Sequence, residues 1–126
     1  MPTERLSQHF EEREFLCKHC GAGAGQISQR LIALLEKIRQ VYDRPMRVAS
    51  GFRCPEHNAA VGGAPSSAHL TGEAADIFCV FSGDRFDLLG SALAAGARRV
   101  GIGDSFIHID VSTTLPQDVC WTYGGE

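Results

Sequence analysis

Ser67-Ala68-His69-Leu70-Thr71-Gly72-Glu73-Ala74-Ala75-Asp76 is the stretch on which the reading of this chain turns. A histidine and a carboxylate stand seven positions apart, with one glycine and small alanines between them. Gly72 permits the tight return that His69 and Asp76 need, because a residue without Cβ enters positive φ at no steric cost. Asp76 leads into the apolar run Ile77-Phe78-Cys79-Val80-Phe81, so 74–81 reads as a strand. Downstream, Phe106-Ile107-His108-Ile109-Asp110-Val111 reads as a second strand. Residues two apart on a strand share a face, which sets His108 with Asp110 and turns Ile107, Ile109 and Val111 toward the core. His69 from a loop, Asp76 from one strand and His108 from its neighbour are expected to form a three-ligand zinc site at the sheet face. Three protein ligands leave a position for water, which separates a catalytic zinc from a structural one. The competing reading is a chance gathering of polar residues at loop ends.

Outward from this stretch the chain alternates helices and strands. Ile27, Leu31, Leu34, Leu35, Ile38 and Val41 recur at helical spacing and predict a helix over 26–42. Asp43-Arg44-Pro45 ends it, since proline disfavours helix at the preceding residue. Met46 to Ala49 reads as a short strand. Ser50 to Ala68 is a long connection in which Pro55 opens a short helix that Gly62 closes. Residues 83–97 predict a second helix with Phe86, Leu89, Leu93 and Ala97 on one side. Arg99 to Gly103 predicts a strand that turns at Gly103-Asp104-Ser105 and pairs antiparallel with Phe106 to Val111. Residues 1–16 read as a loosely packed entry segment with a short helical turn. The C-terminal segment reads as a loop carrying Trp121 and Tyr123. The fold class that follows is α+β: a small, mainly antiparallel sheet with two principal helices packed on it.

The 126 residues, 44% hydrophobic and 21% charged, suit one domain spanning 1–126, with 1–25 as an N-terminal extension. A net charge of −3 argues against nucleic acid and against a polybasic membrane contact. No apolar run reaches membrane-spanning length. Met1-Pro2-Thr3-Glu4-Arg5 is polar and is not a signal peptide, so the chain is expected to stay in the cytoplasm as encoded or to leave by a route its own sequence does not encode; a monomer is expected.

The five cysteines are an odd number, against a fully paired secreted framework. Cys79 lies in an apolar run and reads as a reduced core residue. Cys17-Lys18-His19-Cys20 is a tight pair able to bind a second, structural ion only if His19, Cys54 or Cys120 completes the set. The competing reading is free thiols in a turn.

Ser67-x-His69-x-x-Gly72-x-Ala74-x-Asp76 resembles the first signature of the zinc D-alanyl-D-alanine carboxypeptidase family of peptidoglycan peptidases. Ser50-Gly51-Phe52-Arg53 resembles the segment carrying that family's substrate-binding arginine. Gly101-Ile102-Gly103 with Phe106 to Asp110 and Trp121 resembles the last section of its short, single-domain branch. The resemblance runs over about residues 26–123. It implies one Zn2+ held by His69, Asp76 and His108, with Arg53 on the substrate carboxylate or developing oxyanion and Ser67 near the substrate. It also implies a peptidoglycan peptide as substrate, cut at a D-amino-acid bond by a carboxypeptidase or endopeptidase. The absence of a signal peptide suits endolysin-like release by a phage-type route. Many relatives carry an acidic residue three positions before the last zinc histidine, or a histidine two before it; here Ser105 and Phe106 stand there. Asp110 is then the candidate general base, with Asp104, Glu73 and His108 as alternatives, or a partner that orients a ligand histidine. A noncatalytic, metal-containing module for wall-peptide binding or phage assembly is the competing function.

Overall fold

Residues 4–123 are described by a computed structural model. Five strands, β1 (Val48–Ser50), β2 (Ala74–Phe78), β3 (Arg99–Ile102), β4 (Phe106–Asp110) and β5 (Val119–Thr122), form one sheet in the order β1-β2-β4-β3-β5. Every pairing is antiparallel except β3 with β5. β3 and β4 form the expected hairpin, whose turn is closed by the Gly103 N–H donating to the Phe106 carbonyl. The register of β2 on β4 sets Asp76 opposite His108, Ala75 opposite Ile109 and Ile77 opposite Ile107. Because side chains alternate along each strand, one register fixes both faces at once. Ile77, Val100, Ile107 and Ile109 join the core, while Asp76 and His108 look the other way.

Helix α1 (Gln29–Tyr42) begins where Ser28 Oγ accepts the Leu31 N–H at 3.3 Å and ends on Asp43 in the left-handed region, φ 56°. Its apolar stripe buries Leu31, Ile32, Leu35 and Ile38 against the sheet. Each such side chain contributes about 1.5–3 kcal/mol by leaving water. The short helix α2 (Pro55–Ala60) starts on its proline as expected, and Gly62 follows at φ 76°.

Helix α3 (Ser82–Ala94) packs on α1, and of the expected face Leu89 and Ala97 reach the core while Phe86 and Leu93 do not. Phe86 and Leu93 are 78% and 56% exposed, and the buried residues are Leu88, Ser91 and Ala92. Small side chains at 91 and 92 let the two helices approach, so the larger apolar residues face solvent.

Two further expectations are corrected. The N-terminal segment is not loosely packed: Phe10 and Phe15 are buried in the main core and meet edge to face at 5.8 Å. The 3-10 turn Glu12–Phe15 carries the second of them inward. The C-terminal segment is not all loop, because β5 adds a parallel edge to β3. Asp118, at φ 60° and paired with Arg98, turns the chain onto that edge. No helix among the described residues is long and apolar enough to cross a membrane.

Candidate metal centre and cleft

His69 sits on a 3-10 turn, Ala68–Thr71, that Ser67 caps by accepting the His69 N–H at 3.2 Å. Gly72 closes the turn at φ 73°. A Cβ there would lie 1.9 Å from the Gln26 carbonyl oxygen, so only glycine lets the chain return so close to the start of α1. The backbone follows the return, with the Ser28 N–H donating to the Gly72 carbonyl. Asp76 and His108 need no such turn, since strand register sets them side by side.

The donor atoms then meet. Asp76 Oδ1 lies 3.2 Å from His69 Nε2 and 2.8 Å from His108 Nδ1, and the two imidazole centroids are 5.0 Å apart. All three residues are at most 5% exposed. The far nitrogen of each ring is already engaged. His69 Nδ1 lies 2.6 Å from the Gly51 carbonyl, which can only accept, so Nδ1 carries the proton. His108 Nε2 lies 2.7 Å from Asp110 Oδ2, and a carboxylate behind a ligand imidazole fixes its tautomer and orientation.

Burial lowers the His69 pKa, outweighing Asp76, and keeps this ring neutral. Its Nε2 lone pair therefore faces a carboxylate oxygen, two acceptors with no proton between them. A cation resolves that opposition. Burial opposes charge on His108 too, but hydrogen bonds to Asp110 and Asp76 raise its pKa. Burial would raise the Asp76 pKa, but His108 and His69 hold it well below the usual carboxylate range. Two imidazole nitrogens and one carboxylate oxygen, within 4.8 Å of one another, form a set that fits zinc. Zinc takes such donors at about 2.0–2.2 Å.

A cleft of about 590 Å³ opens over this cluster, with Arg53, Ser66 and Ser67 on one wall and Trp121 and Tyr123 on another. Trp121 lies 5.4 Å from the His108 ring, and the Arg99 guanidinium lies 4.9 Å from the Trp121 centroid. Burial pushes the Tyr123 phenol up to about 12, so it remains a neutral donor near pH 7. Arg53 donates from Nη2 to Asp76 Oδ2, from Nη1 to Asn58 Oδ1 and from Nε to Ser50 Oγ, each at 3.2 Å.

His69, Asp76, His108, Arg53 and Ser67 are thus all brought to one place. Asp110 is present but committed: Oδ2 serves His108, and Oδ1 accepts from Arg99 Nε at 2.8 Å and the Ser112 N–H at 3.1 Å. The alternative bases lie elsewhere. Glu73 is tied to Thr71 and Arg30, and Asp104 is exposed outside the cleft lining. Sequence reasoning did not foresee the roles of Arg99, of the Gly51 carbonyl or of Asn58 as the partner of Arg53. Arg99 left one usable signal: strand alternation puts it on the face of Gly101, which pairs with His108. The other two act through tertiary contacts that no local pattern reports.

Two imidazoles and a carboxylate on an α+β scaffold, open to a cleft beside a guanidinium, make a candidate metal centre. Residues 8–110 match the family described as Peptidase M15, and the chain belongs to that family of zinc D-alanyl-D-alanine carboxypeptidase-like peptidases. The match takes in the N-terminal segment from residue 8. No curated protein matches the chain.

Proposed function

We propose that this chain is a zinc-dependent peptidase that hydrolyses peptidoglycan stem peptides at a bond involving a D-amino acid, as a carboxypeptidase or an endopeptidase. The observation that carries this reading is the His69 lone pair directed at Asp76 beside His108, at the floor of an open cleft. Zinc held by His69, Asp76 and His108 supplies Lewis acidity and a water of lowered pKa. The residues of the chain do the rest. Gly51 holds His69 in the tautomer that offers Nε2. Arg53 lies at the cleft wall with a fork suited to a carboxylate or to the oxyanion of an attacked carbonyl. It reaches substrate by giving up part of its bonding to Asp76 or Asn58. Ser67 spends its acceptor role on the His69 N–H and keeps a hydroxyl proton for substrate.

Asp110 was expected as the general base. Its bonding supports a different role, as a positioning residue that holds His108 through Nε2 and is itself held by Arg99. The substrate is a peptide in solution or in the wall, taken by a monomer, with no nucleic acid involved.

The committed state of Asp110 is also what favours the second reading, a noncatalytic module that keeps the metal for binding a wall peptide or for phage assembly. Purified zinc-loaded protein incubated with muropeptides decides between them. Release of D-alanine or of cleaved stem peptide, lost in His69→Ala, supports the peptidase. Metal-loaded protein that retains muropeptides without product at any pH supports the module.

A further inference from the structure

A second group of soft ligands lies behind the cleft wall. The Cys17, Cys20 and Cys54 sulfurs are all within 4.8 Å of one another, although Cys54 is 37 residues from Cys17 in the chain. Cys17 and Cys54 are buried and Cys20 is exposed; all three are free thiols. Backbone N–H groups already point at two of these sulfurs. Cys54 Sγ accepts the N–H of His57, three residues on, at 3.4 Å. Cys17 Sγ accepts the N–H of Cys54 at 3.5 Å, which ties the two segments together directly. Cys17, Cys20 and Cys54 thus present three sulfurs to a common centre, and in sequence Cys17-x-x-Cys20 and Cys54-x-x-His57 have the ligand spacing of structural zinc. Imidazole stands ready: His19 Nδ1 is 3.6 Å from Cys54 Sγ, and the His19 and His57 rings stack with centroids 6.0 Å apart.

We infer that Cys17, Cys20 and Cys54, with one imidazole of the His19–His57 stack, bind a structural zinc ion that fastens the N-terminal segment to the 50–54 loop. Three sulfurs sharing one centre suit an ion better than a disulfide, which would join two and strand the third. The position gives the ion a task. Between Ser50 and Cys54 the chain supplies the Gly51 carbonyl to His69 and the Arg53 guanidinium to Asp76. Cys54 closes that loop directly after Arg53, so a metal on its sulfur holds both contacts in place from behind. The inference does not depend on the peptidase reading, since it concerns different ligands.

Cobalt substitution of the reduced, full-length chain tests it, because thiolate–cobalt charge-transfer bands report sulfur ligation alone. The bands are expected in the native chain and in a His69→Ala/His108→Ala variant, and are expected to vanish in Cys54→Ser. The native protein supplies a control independent of folding defects: titrating its thiols with a mercurial should release one zinc per chain to a chromogenic chelator. The His19→Ala/His57→Ala variant should bind cobalt more weakly with a shifted visible spectrum; an unchanged spectrum overturns the histidine ligand. Absence of sulfur–cobalt bands in the native chain, or a Cys17–Cys54 disulfide recovered from protein purified anaerobically without reductant, overturns the site.

Discussion

The His69–Asp76–His108 cluster and the Cys17–Cys20–Cys54 cluster lie on either side of one loop and are framed differently. In the first, Asp76 and His108 are register partners on adjacent strands, and His69 rides on a capped turn. Each has a further partner: Gly51 for His69, Arg53 for Asp76 and Asp110 for His108. In the second, the ligands hang from turns, and Gly21, Gly23 and Gly25 close by take positive φ. The difference teaches what each can do. A centre that keeps a corner open for water has fewer bonds to hold it and needs a preformed frame. A centre whose corners are all filled supplies rigidity to a segment that has little of its own.

The sharpest way to break this contrast is to remove a ligand from the sheet. His108→Ala should abolish hydrolysis, forfeiting most of an acceleration of roughly 10⁶-fold or more. Elemental analysis should show one zinc fewer per chain while sulfur-bound cobalt persists. Loss of both metals together would mean that the two centres are a single unit.

Next comes the hinge of the frame. Gly72→Ala places a Cβ against the Gln26 carbonyl at positive φ and should lower stability by about 3 kcal/mol or more. Urea denaturation measures it, and a variant as stable as the parent would show that the turn is not fixed by this contact. Asp110→Asn comes third. If Asp110 positions His108, zinc affinity should fall about 10–100-fold. If it is the base, metal affinity should hold while kcat drops; competition with a chelator, set beside kcat and KM, separates the two. The smallest effect is expected from Ser28→Ala, which removes the side-chain cap of α1 but keeps the backbone bond to Gly72. It should cost about 1 kcal/mol of stability and leave both metal contents unchanged.

Much of the sheet-borne site could be read from the chain because period-2 alternation carries facing information. Ile107 and Ile109 toward the core oblige His108 and Asp110 to share the opposite face. The period of α1 was equally plain. The parts that escaped have no local period. Phe10 and Phe15 are sparse apolar residues in a polar segment, and only the assembled core shows that they belong to it. Strand β5 is four residues long, and its parallel pairing with β3 is a nonlocal choice. The face of α3 was misread because Phe86 and Leu93 outrank Ser91 and Ala92 in hydrophobicity, whereas close approach to α1 favours the smaller pair. Arg99 could be placed on the His108 face by alternation, but its bond to Asp110 is a tertiary contact that alternation does not report.

Gly101 lies beneath the aromatic wall, where a Cβ would come within 2.7 Å of Tyr123 Cε2 and 2.8 Å of Trp121 Nε1. The indole and phenol are thus seated on a missing methyl group. Any larger residue at that position would jack both rings outward and alter the clearance above His108. The height of the cleft above His108 is in this way gauged by an atom the protein does without.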